Sequence, residues 1–149
     1  FMPKVYGDYW APKLTTLVGG GFINTTVESK PITTITIRYD LTQNISLMSD
    51  YWVAPFTSLH SATHLQELSL GSCLKLDFLR IVPWLSVHTS TRWQAKNISP
   101  TIGISLGTDY QLSEQWKLSI IGRYTLPHAL ITFFQVGYSF SLSDDFDPL

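Results

Sequence analysis

The residues best suited to chemistry lie close together in the first half of the chain. They offer a hydroxyl nucleophile, two imidazole bases and a carboxylate, namely Ser61, His60, His64 and Glu67. Hydrolases form and break acyl intermediates with such groups. In an extended segment, however, neighbouring side chains point apart, so His60 is poorly placed to activate Ser61. Two histidines four residues apart converge on a metal in a helix but not reliably in a loop. We therefore expect no enzymatic activity, no metal and no cofactor, with acyl hydrolysis kept as the alternative.

The composition excludes other classes of function. The 149 residues suit one domain, 1–149, and only 14% are charged, against roughly 25% in an average soluble domain. A net charge of -1 with no cluster of Lys and Arg argues against nucleic-acid binding. The single Cys73 cannot form an intramolecular disulfide. No apolar run approaches the ~20 residues of a membrane-spanning helix.

Apolar and polar residues alternate with a period of two, which predicts β-strands almost throughout. In 101–112, Ile102, Ile104 and Leu106 share one face, while Ser105 and Asp109 share the other. The same alternation predicts strands over 33–41, 45–53, 65–76, 81–93, 116–124 and 134–142. A first strand within 13–24 completes eight strands, roughly 13–142, but its run of three glycines leaves its register open.

The connections between these strands differ in length along the chain. Residues 40–44, 77–80 and 113–115 are expected to form tight turns, and 24–30, 54–63 and 94–100 longer loops. Tight turns at one rim and loops at the other are typical of an up-and-down barrel. An even number of strands then brings both termini to the rim of the tight turns.

Ionisable side chains share the polar face of the predicted strands. They are Arg38, Asp50, Glu67, Lys75, His88, Arg92, Asp109, Lys117 and Arg123. That face otherwise consists mainly of Gly, Ser and Thr, although Trp52 and Trp84 have the same parity. Small residues with few charges suit the narrow interior of an eight-stranded barrel. We predict a paired charge network that fills the interior, with a conducting pore as the alternative.

The opposite face carries aliphatic residues on strand after strand, with aromatic residues near the strand ends. These aromatic residues are Tyr39, Tyr51, Trp93, Tyr110, Trp116 and Tyr124, and amphipathic rings favour the headgroup region of a membrane. An unpaired charge near the middle of a bilayer would cost ~2–4 kcal/mol, which explains why this face lacks one. We expect Leu70, Leu106, Leu118 and Val136 to face lipid.

Two stretches resemble the small OmpA-type and OmpX-type outer-membrane barrels. Residues 107–118, followed by Gly122-Arg123-Tyr124, resemble the sixth strand, turn and seventh strand of those proteins. Residues 135–142 are similar to the C-terminal signal read by the outer-membrane insertion machinery, carried here by Gln135, Gly137, Phe140 and Leu142. The chain continues beyond the point at which such proteins usually stop.

The resemblance implies an all-β, eight-stranded antiparallel up-and-down transmembrane β-barrel in the outer membrane of a Gram-negative bacterium. Its surroundings would be outer-membrane lipid and lipopolysaccharide, and the insertion machinery would be a partner during biogenesis. Its role would be structural, in envelope assembly or in interactions, rather than that of a wide pore.

Two alternatives stay open. Some eight-stranded outer-membrane barrels are lipid A deacylases with Ser, His and Glu near the outer rim, but their His-x-Ser-Asn stretch is absent here. The segments Gly7-Asp8-Tyr9-Trp10 and Thr108-Asp109-Tyr110 resemble short motifs of lipocalins, which are soluble ligand-binding barrels. After Arg123, however, another alternating strand stands where lipocalins carry an amphipathic helix.

Both ends of the chain carry aromatic residues beyond the predicted strands, within 1–12 and 143–149. A free terminus has no need of such anchors. Either these ends are frayed tails, or they dock on a periplasmic or neighbouring envelope protein.

Overall fold

The computed structural model describes residues 12–25, 29–54, 65–76, 80–94, 97–126 and 129–141. Every strand pairs antiparallel with the next, and the last pairs with the first, which closes a barrel. The strands are β1 (Lys13–Asn24), β2 (Ser29–Asp40), β3 (Ile45–Ala54), β4 (Leu65–Lys75), β5 (Ile81–Gln94), β6 (Asn97–Gln111), β7 (Trp116–Leu126) and β8 (Ala129–Ser141). The predicted eight-stranded up-and-down fold is confirmed. Within the described ranges, no helix is long and apolar enough to cross a membrane.

Alternate side chains of each strand point into the barrel or away from it. In β2, Thr34, Thr36 and Arg38 are buried inside, whereas Ile35 and Ile37 lie exposed on the outside. β-Branched residues fit the pleated surface, and a period of two separates the faces without any change of backbone conformation. Polar side chains therefore line the interior and apolar ones the exterior.

The glycine run of β1 does not interrupt this alternation. Leu17 and Ile23 are buried inside while Val18 is exposed outside, which establishes the register left open by the sequence. A Cβ at Gly19 would stand 1.8 Å from the carbonyl oxygen of Phe134 in β8. The glycine therefore permits the close approach of β1 and β8 at the seam that closes the barrel.

The hairpin of β5 and β6 extends farther than the alternation predicts. The prediction of a loop over 94–100 is wrong, because β5 continues to Gln94 and β6 begins at Asn97. Pro100 pairs with β5, whereas the described pairing of β6 with β7 begins only at Ile102. The proline thus lies on a stretch of β6 that pairs on one side only, as prolines in sheets usually do. Residues 97–100 are all exposed. Their sequence therefore does not alternate between apolar and polar residues, and the alternation could not reveal this part of the strand.

A hydroxyl side chain holds the tight turn between β2 and β3. The backbone N–H of Leu41 donates to the carbonyl of Ile45 at 2.9 Å. Oγ1 of Thr42 accepts from the backbone N–H groups of Asn44 at 3.2 Å and Ile45 at 3.0 Å. Two amides that the short turn leaves without strand partners are thereby satisfied.

The turn between β6 and β7 repeats this arrangement. The N–H of Leu112 donates to the carbonyl of Trp116 at 2.9 Å. Oγ of Ser113 accepts from the N–H groups of Gln115 at 3.3 Å and Trp116 at 3.1 Å. The two turns share the sequence pattern Leu, Thr or Ser, any residue, then Asn or Gln.

The two rims of the barrel differ. We call the rim that carries residues 41–44 and 112–115 the turn rim, and the opposite one, at which β3 ends and β4 begins, the loop rim. Lys13 of β1 pairs with Ser141 of β8, and the next residue, Leu14, pairs with Tyr39 just before a tight turn. Both ends of the barrel therefore leave at the turn rim.

Candidate functional site: the barrel interior and its rims

Two ion pairs cross the middle of the interior. Nη1 of Arg38 in β2 donates to Oδ2 of Asp109 in β6 at 2.6 Å, and these side chains are 1% and 2% exposed. Arg123 in β7 pairs with Asp50 in β3. Neither pair joins neighbouring strands, so each connects opposite walls of the barrel.

Further donors surround the carboxylate of Asp109. Nε1 of Trp84 donates to its Oδ1 at 3.0 Å and Oγ of Ser119 does so at 2.7 Å. The guanidinium of Arg38 also lies 5.0 Å from the centre of the Trp84 ring, a cation–π distance. A buried charge stays ionised at modest cost only when its hydrogen-bonding capacity is met in this way.

A second network surrounds Asp50. Its carboxylate accepts a hydrogen bond from Thr36 as well as from Arg123. Nε of Arg123 donates to Oγ of Ser105 at 2.8 Å. Nε2 of Gln135 donates to Oγ1 of Thr36 at 2.8 Å. Oγ of Ser69 in β4 also donates to the Asp50 carboxylate at 3.3 Å, so the network links six strands, β2, β3, β4, β6, β7 and β8.

Two further pairs lie toward the rims. Near the turn rim, Nζ of Lys75 lies 2.9 Å from Oδ1 of Asp40. On the loop side, Nη2 and Nε of Arg92 lie 2.7 Å and 2.8 Å from Oε2 of Glu67. The Arg92 guanidinium is 5.7 Å from the Trp52 ring centre. Neighbouring strands supply the Arg92–Glu67 pair, in contrast to the two central pairs.

Two interior cationic or basic side chains differ from the rest. Lys117 is buried, and among the described residues it makes no ion pair. His88 is also buried and stands between Gly71 and Gly103, whose backbones pair with it on either side. Neither ring nitrogen of His88 has a hydrogen-bond partner in the described part of the chain. All nine ionisable residues predicted to line the interior lie on the inward face of their strands, and seven of them are in the ion pairs described above.

An apolar layer occupies the interior at the loop rim, and the sequence analysis missed it. Its members include Ile23, Ile32, Trp52, Ala54, Leu65, Ala129, Ile131 and Phe133. The available signal was the inward parity of Ile131 and Phe133, but the predicted last strand began too late to include them. The interior is therefore charged in its middle, whereas at the loop rim apolar side chains predominate around the buried Lys30.

The outward face carries no Asp, Glu, Lys, Arg or His on any described strand residue. Leu70, Leu106 and Ile120 are 64%, 66% and 65% exposed there. Leu118 and Val136 lie on the same face, half-buried against each other across the β7–β8 pairing.

The outward aromatic residues form two groups. Tyr39, Tyr110 and Trp116 stand near the turn rim, and Tyr51, Trp93 and Tyr124 near the loop rim. Near the turn rim, rings contact one another: Trp116 lies 5.0 Å from Tyr138, edge to face.

The residues that resemble an insertion signal also have places in the barrel. Gln135 is fully buried in the hydrogen-bond network of the interior. A Cβ at Gly137 would come within 2.8 Å of Cγ of Leu17, so the glycine makes room for an interior side chain. Phe140 lies on the outward face, half-exposed. Leu142 falls outside the described residues.

The structure describes only one member of the group suited to acyl hydrolysis. Glu67 is fully buried, with Oε2 bound by Arg92. His60, Ser61 and His64 lie outside the described residues, as do Gly7-Asp8-Tyr9-Trp10 and both terminal segments. Within the described ranges no three His, Cys, Asp or Glu side chains are grouped to hold a metal.

No protein-family model and no curated protein matches the sequence. Solved structures do match the fold. Neisserial surface protein A is 12% identical, with a TM-score of 0.68 over 88% of this chain and 97% of that one. The N-terminal β-barrel domain of OprF from Pseudomonas aeruginosa is 18% identical, with a TM-score of 0.65 over 85% and 97%. A de novo designed transmembrane β-barrel is 15% identical, with a TM-score of 0.62 over 93% and 100%. The chain thus has the fold of the small eight-stranded outer-membrane β-barrels.

Proposed function

We propose that this protein is an integral outer-membrane β-barrel with a filled interior, which acts through its outer surface, loops and ends rather than as a pore or an enzyme. One observation carries the proposal. Apolar side chains cover the outside, while all the strand charges that the structure describes point inward. A monomer in water rarely exposes an apolar surface that continues around the whole molecule, because contact with water is unfavourable for apolar side chains. In a bilayer the same side chains contact lipid chains, and that cost is absent.

The arrangement of the interior supports a role other than conduction. Side chains of Arg38, Asp109 and Trp84 meet across the middle of the barrel, and the apolar layer follows at the loop rim. An ion passing through would have to displace paired charges and then lose its hydration among apolar side chains. Side chains occupy most of the bore of an eight-stranded barrel in any case.

The turn rim faces the periplasm in this proposal, because outer-membrane barrels have short periplasmic turns and longer extracellular loops. Tyr39, Tyr110 and Trp116 then lie at the inner interface, and Tyr51, Trp93 and Tyr124 at the outer one. Lipopolysaccharide and phospholipid surround the barrel, and the residues from Gln135 to Leu142 act in insertion as well as in the fold.

The chain ends are the proposed contact with other envelope proteins. Residues 1–12 and 143–149 both continue from the turn rim, and their aromatic residues suit docking on a periplasmic partner. Deletion of 143–149 together with Trp10→Ala should abolish co-purification of that partner and leave the barrel folded. Unchanged recovery of the partner would remove this part of the proposal.

The proposal is tested by cell fractionation and by spin-label accessibility. We expect the protein in the outer-membrane fraction, with a gel mobility that changes on heating. Labels at Leu70 and Leu106 should contact a lipid-soluble relaxation agent, whereas a label at Asp109 should not. A soluble protein with heat-indifferent mobility would reject the membrane assignment. Loss of an acyl chain from lipid A that depends on Ser61 would reject the non-enzymatic role.

A further inference from the structure

A groove on the outer surface at the loop rim differs in composition from the rest of that surface. Tyr51, Gln66, Leu68 and Trp93 line it, and its volume is about 320 Å³. It is an open depression rather than an enclosed pocket, so a ligand there would stay in contact with the surrounding lipid. Elsewhere the outward residues are chiefly aliphatic, so a clustered amide, phenol and indole mark this position.

The register of three strands explains the shape of the groove. Leu68 of β4 pairs with Tyr51 of β3, and Gln66 of β4 pairs with Trp93 of β5. The aromatic side chains therefore form two walls, with Gln66 and Leu68 as the floor between them. Gln66 lies nearer the loop rim than Leu68, so the polar end of the groove faces the headgroups and the apolar end faces the bilayer interior.

Hydrogen bonding orients the polar end. The hydroxyl of Tyr51 donates to Oε1 of Gln66 at 2.6 Å. This bond occupies the amide oxygen, and the phenol oxygen keeps its accepting capacity. Nε2 of Gln66 has no protein partner among the described residues. The groove therefore presents an uncharged donor and an uncharged acceptor beside two ring faces.

We infer that this groove binds the sugar headgroup of a membrane glycolipid. Hydroxyl groups of a pyranose match the amide donor and the phenol acceptor, and the C–H face of the ring packs on an aromatic face. Leu68 lies where the attached acyl chain enters the bilayer. A phosphate headgroup fits less well, because no described outward-facing side chain carries positive charge. The inference rests on the proposed membrane location and names a ligand for it.

The contrast with the turn rim supports a ligand rather than a general interfacial anchor. There Trp116 packs edge to face on Tyr138, which in turn contacts Phe140 at 4.7 Å between ring centres. Trp93, in contrast, makes no ring contact within the described part of the chain. Trp93 is partly exposed at the groove, so part of its ring can contact a ligand there.

The test uses the full chain reconstituted in phosphatidylcholine nanodiscs that contain a monoglucosyl diacylglycerol, whose sugar headgroup carries no phosphate, as a minor component. Native mass spectrometry would measure the fraction of protein that retains this glycolipid. We expect Trp93→Leu and Gln66→Leu each to lower this retention by about 3- to 10-fold. Trp116→Leu, which removes an aromatic residue of the other rim, should not lower it. Dodecyl maltoside, with an uncharged sugar headgroup, should compete with the glycolipid, and phosphatidylglycerol should not.

Equal retention in Trp93→Leu and Trp116→Leu would overturn the inference, as would competition by phosphatidylglycerol as strong as that by dodecyl maltoside. If the wild-type chain inserts with heat-modifiable mobility but these variants bind like wild type, only this inference fails. If the wild-type chain does not insert at all, the proposed function fails with it.

Discussion

At the scale of single residues, the interior combines full burial with two ion pairs across its centre. Arg123 and Asp50 are 0% and 3% exposed, so neither is solvated by bulk water. Each ion is tolerable only because the other is present, along with hydroxyl groups such as that of Thr36. The pair therefore specifies the arrangement of the walls more than it adds net stability.

We expect Arg123→Met to destabilise the barrel by ~3–5 kcal/mol, because Asp50 would remain buried without its cation. Arg123→Met combined with Asp50→Asn should recover much of this loss, since no charge is then stranded. Equilibrium unfolding in urea, with the protein in lipid vesicles, would measure both. Arg80→Met, at an exposed position in a turn, is the control and should change little. A single variant as stable as this control would show that water reaches Asp50.

Two glycines provide a matched pair of positions. A Cβ at Gly107 would lie 2.2 Å from Cζ2 of Trp84, whereas a Cβ at Gly122 would meet nothing within 4 Å. Gly107→Ala should cost ~1–3 kcal/mol by overpacking the interior. Gly122→Ala should be neutral or slightly stabilising, because alanine loses less entropy on folding. Unfolding midpoints would test this, and equal values for the two variants would contradict it.

The alternation of the sequence was enough to predict which side chains point inward, but not which of them meet. Arg38 and Asp109 are distant in the chain and lie on strands that do not pair. Their contact depends on barrel closure, strand stagger and the side-chain lengths that span the bore. The groove between Tyr51 and Trp93 was missed for the same reason, because the register of three strands brings these rings to either side of β4.

At the scale of elements, the two tight turns with a shared sequence pattern are built in the same way. Thr42 and Ser113 each accept two backbone hydrogen bonds in the same positions of their turns. The sequence predicted where these turns lie, since short polar segments interrupt the alternation. It was less informative where alternation fades, at the β5–β6 hairpin and in the glycine run of β1.

Thr42→Ala and Ser113→Ala should each destabilise the barrel by about 1 kcal/mol, because two amides lose an acceptor that water replaces in part. The effects should be additive in the double variant, since the turns lie in different hairpins. Gln43→Ala and Glu114→Ala are exposed controls within the same turns and should have little effect. Urea unfolding in vesicles measures all five proteins. If the control variants lose as much unfolding free energy as Thr42→Ala and Ser113→Ala, the hydrogen bonds of these hydroxyl groups do not stabilise the turns.

At the scale of the whole molecule, the distribution of polarity is the reverse of that in a soluble barrel. The charges are enclosed, and the surface between the two aromatic groups is chiefly aliphatic. A period of two does not tell which face of the strands points inward. A soluble barrel with an apolar interior would show the same alternation, so the lipocalin-like alternative stayed open. The small size and low number of the polar residues decided which face is inside, since only such residues fit a narrow bore.

One strand supplies a direct test of the solvent around the barrel. Ile120 lies on the outward face of β7, midway between Trp116 and Tyr124, and Leu126 lies on the same face beyond Tyr124. In a bilayer, Ile120→Arg should cost ~2–4 kcal/mol and Leu126→Arg ~0–1 kcal/mol, because the penalty for an arginine falls with distance from the midplane. Both residues are well exposed, 65% and 49%, so neither variant disturbs internal packing. In water, an arginine at either site would be equally harmless. Folding free energies in phosphatidylcholine vesicles would therefore separate the two environments, and equal small effects at both positions would mean that lipid does not surround this barrel.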